Sequence, residues 1–320
     1  VLNVKCSINA AFLGKCQDRF FAYGEDRTLE QKLDLVAQIE GADGVELKLP
    51  RDLEDPAPAK ELLAKHGLPL SAVNVDLKGK PEWLYGSLTS TRPERRAEAV
   101  ALLKRGMDIA ADLGAHLVTC CPVADGYDYP FQMDYRAAWS HFIDGIREAA
   151  EHRDDVRLSL EYQPTDPHPH ILLRNVGTAL YVCEQVALPN VGVTLDIGHS
   201  FMAGENPAEA VCLLARDDRL FYIHTDDSTG GGDWDLLSGT MHFWHFLELL
   251  YYLETVSYDG WLGADIFPRQ FDAAAGFSAN IRLLKRMAAI VARLDAAKLA
   301  SMMRSEGQAA QTFEYLSSVL

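Results

Sequence analysis

The chain has 320 residues, 48% of them hydrophobic and 24% charged, and 46 acidic against 30 basic side chains leave a formal net charge of −16 at pH 7. This is the composition of a soluble globular protein long enough for one large domain, and no apolar run reaches the ~18 residues of a membrane span. The acidic excess argues against a nucleic-acid partner, which needs clustered Lys and Arg to displace counterions, and suits a neutral small-molecule substrate. Six cysteines are scattered, Cys120 and Cys121 are adjacent, and no CxxC spacing occurs. The expectation is a cytoplasmic protein with reduced, buried thiols.

Strand-like and helix-like runs alternate along the chain. Asn3–Ile8 predicts a first strand, followed by a helix over Thr28–Glu40 that opens on an N-cap threonine. Strands over Gly44–Leu49 and Leu70–Asp76 precede a long helical pattern from Thr91 to Gly114, with Pro93 near its start and Gly114 at its end. Strand His116–Cys121 leads to a helix over Tyr135–His152, and Val156–Tyr162 to one over Val176–Val186. Val191–Asp196 leads to Pro207–Ala215, Leu220–His224 to Met241–Thr255, and Trp261–Phe267 to Phe277–Leu294. Eight such units predict an α/β fold, a single-domain (β/α)8 TIM barrel over residues 1–294. A doubly wound sheet would favour a glycine-rich first turn, and "SINAAFLGK" has none. Residues 295–320 form a surplus Ala- and Met-bearing helical extension, read as an arm onto a neighbouring subunit of a homo-oligomer, a dimer or tetramer.

The C-terminal tips of the later strands carry the chemistry, because barrel enzymes build their sites there. "LSLEYQP" presents Glu161, "VTLDIGHS" presents Asp196 with His199 just beyond, "LFYIHTDD" presents His224 and "GADIFPRQ" presents Asp265. Buried singly, each polar group would cost several kcal/mol, about 2–7 for a neutral one. Together, three carboxylates and one imidazole form an oxygen-rich shell suited to Mn²⁺, Mg²⁺ or Co²⁺. In "HTDDSTGGGDWDL", Asp233 and Asp235 alternate onto one side of an extended loop. With His199 and a bridging Asp196 they make a second candidate set, so one or two divalent ions per subunit are expected.

At these positions the chain resembles the xylose isomerases and, in its choice of ligands, the L-rhamnose isomerases. "DIGHSFMAGEN" is similar to the segment bearing the bridging carboxylate and the histidine of the second metal. "LFYIHTDDSTGGGDWDL", "GADIFPRQ" and "LTSTRPERRAEAVALLKRGMDIAADLGA" resemble the seventh strand and its loop, the last-strand aspartate and the third helix. The resemblance implies that Glu161, Asp196, His224 and Asp265 hold a structural metal, and that Asp196, His199, Asp233 and Asp235 hold a catalytic one. It also implies a dimetal aldose–ketose isomerase acting on an unphosphorylated sugar by hydride shift. His224 stands where xylose isomerases carry aspartate and matches the rhamnose isomerase and ketose epimerase branches. Gln163 stands where they carry the lysine held near the reacting carbonyl, and Lys80 where they carry the ring-opening histidine. Trp83, Tyr127, Tyr129 and Phe131 are candidate platforms for the apolar face of a sugar, Asp226 and Asp227 candidates to bind its hydroxyls or to orient the ligand side chains, and Arg269 a candidate substrate contact. The alternatives are a one-metal ketose 3-epimerase working through an enediolate, an inosose dehydratase, a DNA-repair endonuclease of the same barrel and a non-catalytic sugar binder. The charge of −16 argues against the endonuclease.

Overall fold

A computed structural model describes residues 2–320. Eight parallel strands close into a barrel: β1 (Lys5–Asn9), β2 (Gly44–Leu49), β3 (Leu70–Val75), β4 (Leu117–Cys120), β5 (Arg157–Glu161), β6 (Val191–Asp196), β7 (Leu220–Thr225) and β8 (Trp261–Ala264). Each pairs with the next, and β8 closes on β1 in the register Lys5↔Trp261 to Ile8↔Ala264. The expected (β/α)8 fold is therefore the observed one.

Alternation along each strand explains which residues face the axis. In β6, Val191, Val193 and Leu195 join the apolar core beneath the helices, while the intervening Thr194 and Asp196 are buried polar groups. Inward hydroxyls satisfy one another across the barrel. Thr194 contacts Thr119 and Ser159, each at 2.7 Å, and Tyr222 contacts Ser7 at 2.8 Å. Gly263 in β8 leaves the space that Tyr222 fills, since a Cβ there would stand 2.5 Å from the phenol oxygen.

The enclosing helices are α1 (Leu29–Val36), α2 (Ala57–His66), α3 (Pro93–Asp112), α4 (Tyr135–Ala150), α5 (Val176–Val186), α6 (Ile197–Met202), α7 (Pro207–Arg216), α8 (Phe243–Thr255) and α9 (Ala273–Val291). Two escape a periodicity argument. The start of α2 is masked by Pro56 and Pro58, yet a proline in the first turn of a helix is tolerated, and Gly67 closes it at φ 63°. The six-residue α6 follows β6 without a loop, because Asp196 itself serves as its N-cap. The first expected helix ends early, at Val36, ahead of Gly41 at φ 84°.

The extension comprises α10 (Ala296–Met303) and α11 (Ala309–Val319). It lies along α8 of its own chain. Leu299 is buried, Phe313 packs edge-on against Trp244 at 5.4 Å, and the Tyr252 hydroxyl meets the Met303 sulfur at 3.7 Å. No residue of α11 is buried. Among the described residues no helix is long and apolar enough to cross a membrane, and all six cysteines are free, five of them buried.

Candidate metal centre

Four strand tips converge on one point. Glu161 ends β5, Asp196 ends β6, His224 sits one residue before the end of β7, and Asp265 lies just beyond β8. One ligand atom from each lies within 4.8 Å of the others. That span fits donors around a single divalent ion at bond lengths of about 2.0–2.6 Å. His224 Nδ1 is 3.3 Å from Glu161 Oε2, 3.3 Å from Asp265 Oδ2 and 3.8 Å from Asp196 Oδ2, yet it makes no hydrogen bond. A fully buried ring nitrogen left over among three carboxylates is a metal-ligand donor set in its chemistry.

The surroundings aim these groups. His224 Nε2 contacts Glu46 at 3.0 Å, and the Asn74 amide donates to the other Glu46 oxygen at 2.7 Å. With its Nε2–H engaged, the ring turns Nδ1 toward the cluster. Burial works against the Glu46 charge, but His224 outweighs it and lowers the carboxyl pKa. Asn9 donates to Asp265 Oδ1 at 3.2 Å, leaving Oδ2 toward His224. Neither Glu46 nor Asn9 was singled out in the sequence. The only signal is a pair of charged residues, Glu46 and Lys48, alternating with apolar ones in "GVELKL".

A second set adjoins the first through His199, which α6 holds at its first turn. Asp196 accepts the His199 backbone N–H at 2.8 Å. The ring then places Nδ1 3.3 Å from Glu161 and 3.6 Å from Asp196, and Nε2 3.3 Å from Asp233. Asp226, Asp233 and Asp235 offer oxygens within 4.8 Å of one another. Asp226, expected among the substrate contacts, thus belongs with the acidic loop. It is buried, accepts the Gly198 N–H at 3.0 Å, and leaves Oδ2 without a partner. Gly198 is required there, since a Cβ would stand 2.1 Å from that oxygen.

The electrostatics state the same excess of negative charge. Burial raises the pKa of Asp226, and the neighbouring Asp196, Asp235 and Asp233 carboxylates raise it further. Burial and then Asp233 do the same to Asp235. Burial disfavours charge on His199, but Asp196 and Asp233 prevail and hold its pKa at about 10. Glu161 goes the other way. Despite burial, His224 and His199 bring it down to about 2. A protonated His199 balances part of this negative charge.

The set opens into a cavity of about 1250 Å³ at the C-terminal mouth of the barrel. The aromatic candidates are not where the sequence suggested. Trp83 is 1% exposed in the core, and Tyr127 stacks on His170 at 4.9 Å beside Tyr135. Tyr129 and Phe131 project into solvent, and none of these four lines the cavity. The walls instead bear Phe12, Phe20, Trp234 and Phe267, which flank β1, β7 and β8 in loops whose approach depends on barrel closure. Lys80 also lies outside, its ammonium 4.6 Å from the Trp83 ring centroid. Lys78, two residues earlier, lines the cavity, as do Gln163 and Arg269. The Gln163 amide reaches Asp233 at 3.5 Å and accepts from the Cys121 thiol at 3.5 Å. Arg269 stacks on Phe267 at 4.0 Å and donates to the Trp234 carbonyl.

A closed eight-stranded barrel with acidic and imidazole side chains gathered at its strand tips belongs to the class of barrels that build their active sites at the C-terminal face. The sequence profile of the xylose isomerase-like TIM barrel family matches residues 33–287, and the chain belongs to that family. A xylose isomerase of Thermus thermophilus is 28% identical over 222 residues, 68% of this chain and 56% of that relative. The chain therefore spans little more than half the length of that relative. In structure it is similar to a D-tagatose 3-epimerase-like protein, with a TM-score of 0.71, 19% identity, and coverage of 90% of this chain and 98% of the other. It is likewise similar to the IolI protein with a bound zinc atom, with a TM-score of 0.66, 18% identity, and coverage of 90% and 98%.

Proposed function

We propose that this chain is a divalent-metal-dependent aldose–ketose isomerase acting on a monosaccharide. One observation carries the reading: two sets of buried or half-buried side chains adjoin at His199, one built by Glu161, Asp196, His224 and Asp265, the other by Asp226, Asp233 and Asp235. By the chemistry of their donors these residues would hold Mn²⁺, Mg²⁺ or Co²⁺, which would supply Lewis-acid polarisation of substrate oxygens for the isomerisation.

The chain's own groups do the rest. Gln163, beside Asp233, offers an amide to a substrate hydroxyl or carbonyl. Lys78, in the same cavity, supplies positive charge that an amide cannot. Phe12 and Phe267, packed edge-on at 5.9 Å, give the sugar's apolar face a platform. His199 holds a proton between Glu161 and Asp233 in the metal-free protein and gives it up when it becomes a ligand.

A second reading, a ketose 3-epimerase working through an enediolate, is favoured by Gln163 where an isomerase would gain from a cation. Turnover of a panel of aldoses and ketoses in D₂O, with and without EDTA, tests both. An isomerase transferring hydrogen directly places little deuterium on carbon and loses activity in EDTA. Stoichiometric deuterium in the product replaces it with the epimerase reading.

A further inference from the structure

The cavity is bipolar. The ligand sets occupy the arc of β5 to β8, while β2 and the loops after β1, β2 and β3 bring Lys15, Arg19, Lys48, Arg51 and Lys78 to the other side of the cavity, with Asp18, Asp26 and Asp76 among them. In a chain with net charge −16 this concentration of cations needs a reason.

Ion pairs neutralise it only in part, with Asp76, Glu161 and Asp233 acting on Lys78 at longer range. Lys15 is 3.9 Å from Asp26, and Arg269 is 3.8 Å from Asp18. Lys48, Arg51 and Lys78 have no carboxylate oxygen within 4.0 Å among the described residues. Asp52 is the obvious partner for Lys48, but its Oδ1 pairs with buried Lys32 at 2.6 Å. Its Oδ2 accepts only the Lys48 backbone N–H at 3.1 Å. The Lys48 ammonium is thereby left to the cavity. Arg51 is anchored through one nitrogen to the Lys15 carbonyl at 2.6 Å, which directs the guanidinium and leaves other donors unused. β2 and β3 are neighbours in the register Lys48↔Asn74, and Lys78 lies three residues past the end of β3, in the cavity lining.

We propose that the substrate is an anionic sugar. Its carboxylate or phosphate binds Lys48, Arg51 and Lys78, while its hydroxyl and carbonyl end lies against the Glu161–Asp196–His224–Asp265 set. This rests on the sugar-converting reading above and replaces the neutral substrate expected from net charge. The separation of charge also orients the molecule, because the reversed pose sets the anion against the acidic wall.

The test is calorimetric binding to Mn²⁺-loaded protein of matched trios: a hexose, its uronate and its phosphate, in the gluco, galacto and manno series. At least one charged member binds about tenfold or more tighter than its neutral partner, a difference of about 1.4 kcal/mol, and that gain shrinks as salt is added. The stronger charged member tells carboxylate from phosphate. In the triple variant Lys48→Gln, Arg51→Gln, Lys78→Gln the charged and neutral sugars bind alike. Arg51→Gln alone, at an exposed side chain, loses part of the gain and serves if the triple variant does not fold. Equal binding within every trio of the wild type overturns the proposal. So does a preference that survives the triple substitution, which would place the anion on the metal. Binding separates the two readings. An anionic preference without turnover leaves this inference standing and removes the isomerase, while turnover of neutral sugars with no preference does the reverse.

Discussion

Glu46 and His224 lie 178 positions apart in the chain, on strands that are not neighbours, and meet at 3.0 Å with both side chains fully buried. The contact turns the opposite face of the imidazole toward Glu161, Asp196 and Asp265. Replacing Glu46 with Gln keeps the volume but weakens the acceptor and allows the amide to present N–H instead. Mn²⁺ affinity at the first set should fall about 10–100-fold, the usual effect of losing such an orienting partner. Titration calorimetry measures it. Unchanged affinity would mean that the pair serves the core alone.

Gly198 is the closest fit in the site. A methyl group there would displace Asp226 from the backbone N–H it accepts and push it toward Asp233 and Asp235. Gly198→Ala should lose about 1–3 kcal/mol of stability, the cost of overpacking a rigid site. Urea unfolding checks the loss.

The double variant Asp233→Asn, Asp235→Asn removes two carboxylates from the second set and leaves the first untouched. It should fold, bind one equivalent of metal in place of two by elemental analysis, and lose turnover by orders of magnitude, since Lewis-acid stabilisation is worth several kcal/mol. A double variant that retains activity would reduce the centre to one ion.

The charge on His199 sets the pH dependence of metal binding. With a folded-state pKa of about 10, raised above its unfolded value by Asp196 and Asp233 against the cost of burial, the ring is protonated at neutral pH and must lose that proton to ligate. Mn²⁺ affinity should therefore rise with pH up to that value. Calorimetry in buffers of different ionisation enthalpy should show proton release near neutral pH. For the metal-free protein the sign is opposite: the stabilisation from charged His199 is complete below the unfolded pKa and is lost as pH rises through about 10.

The expectation that residues 295–320 join two subunits is a proposal with a direct check. The extension lies on α8 of its own chain, and α11 buries none of its residues there, leaving Phe313 and Leu320 about half exposed. Truncation after Leu294 should lower the mass seen by light scattering. An unchanged mass would confine the extension to covering Trp244 and its neighbours.

The barrel and the strand-tip groups were readable because both follow from local rules. A two-residue period separates Asp196 from Leu195, and the C-terminal end of a barrel strand is where polar inward groups gather. Glu46 was not readable, since nothing in "GVELKL" tells a buried orienting carboxylate from a surface one until β7 is in place. The aromatic assignments went astray for the same reason. Tyr129 and Trp83 lie in loops whose path no periodicity governs, and one ended in solvent and the other in the core. Net charge averages over the surface and cannot show where cations gather, such as Lys15, Arg19, Lys48, Arg51 and Lys78 in the lining of the cavity.

Each ligand of the first set comes from a different strand, and Glu46 reaches His224 across the barrel axis, so the binding point does not exist until the last strand has docked on the first. A partly assembled chain offers a cation only scattered carboxylates. Metal should therefore act late in folding, leaving the refolding rate nearly unchanged while slowing the escape from the native state. The gain grows with concentration as the logarithm of site occupancy. A cation bound there would act as a latch that only a finished barrel can close, and its removal should shorten the protein's lifetime before it changes the shape.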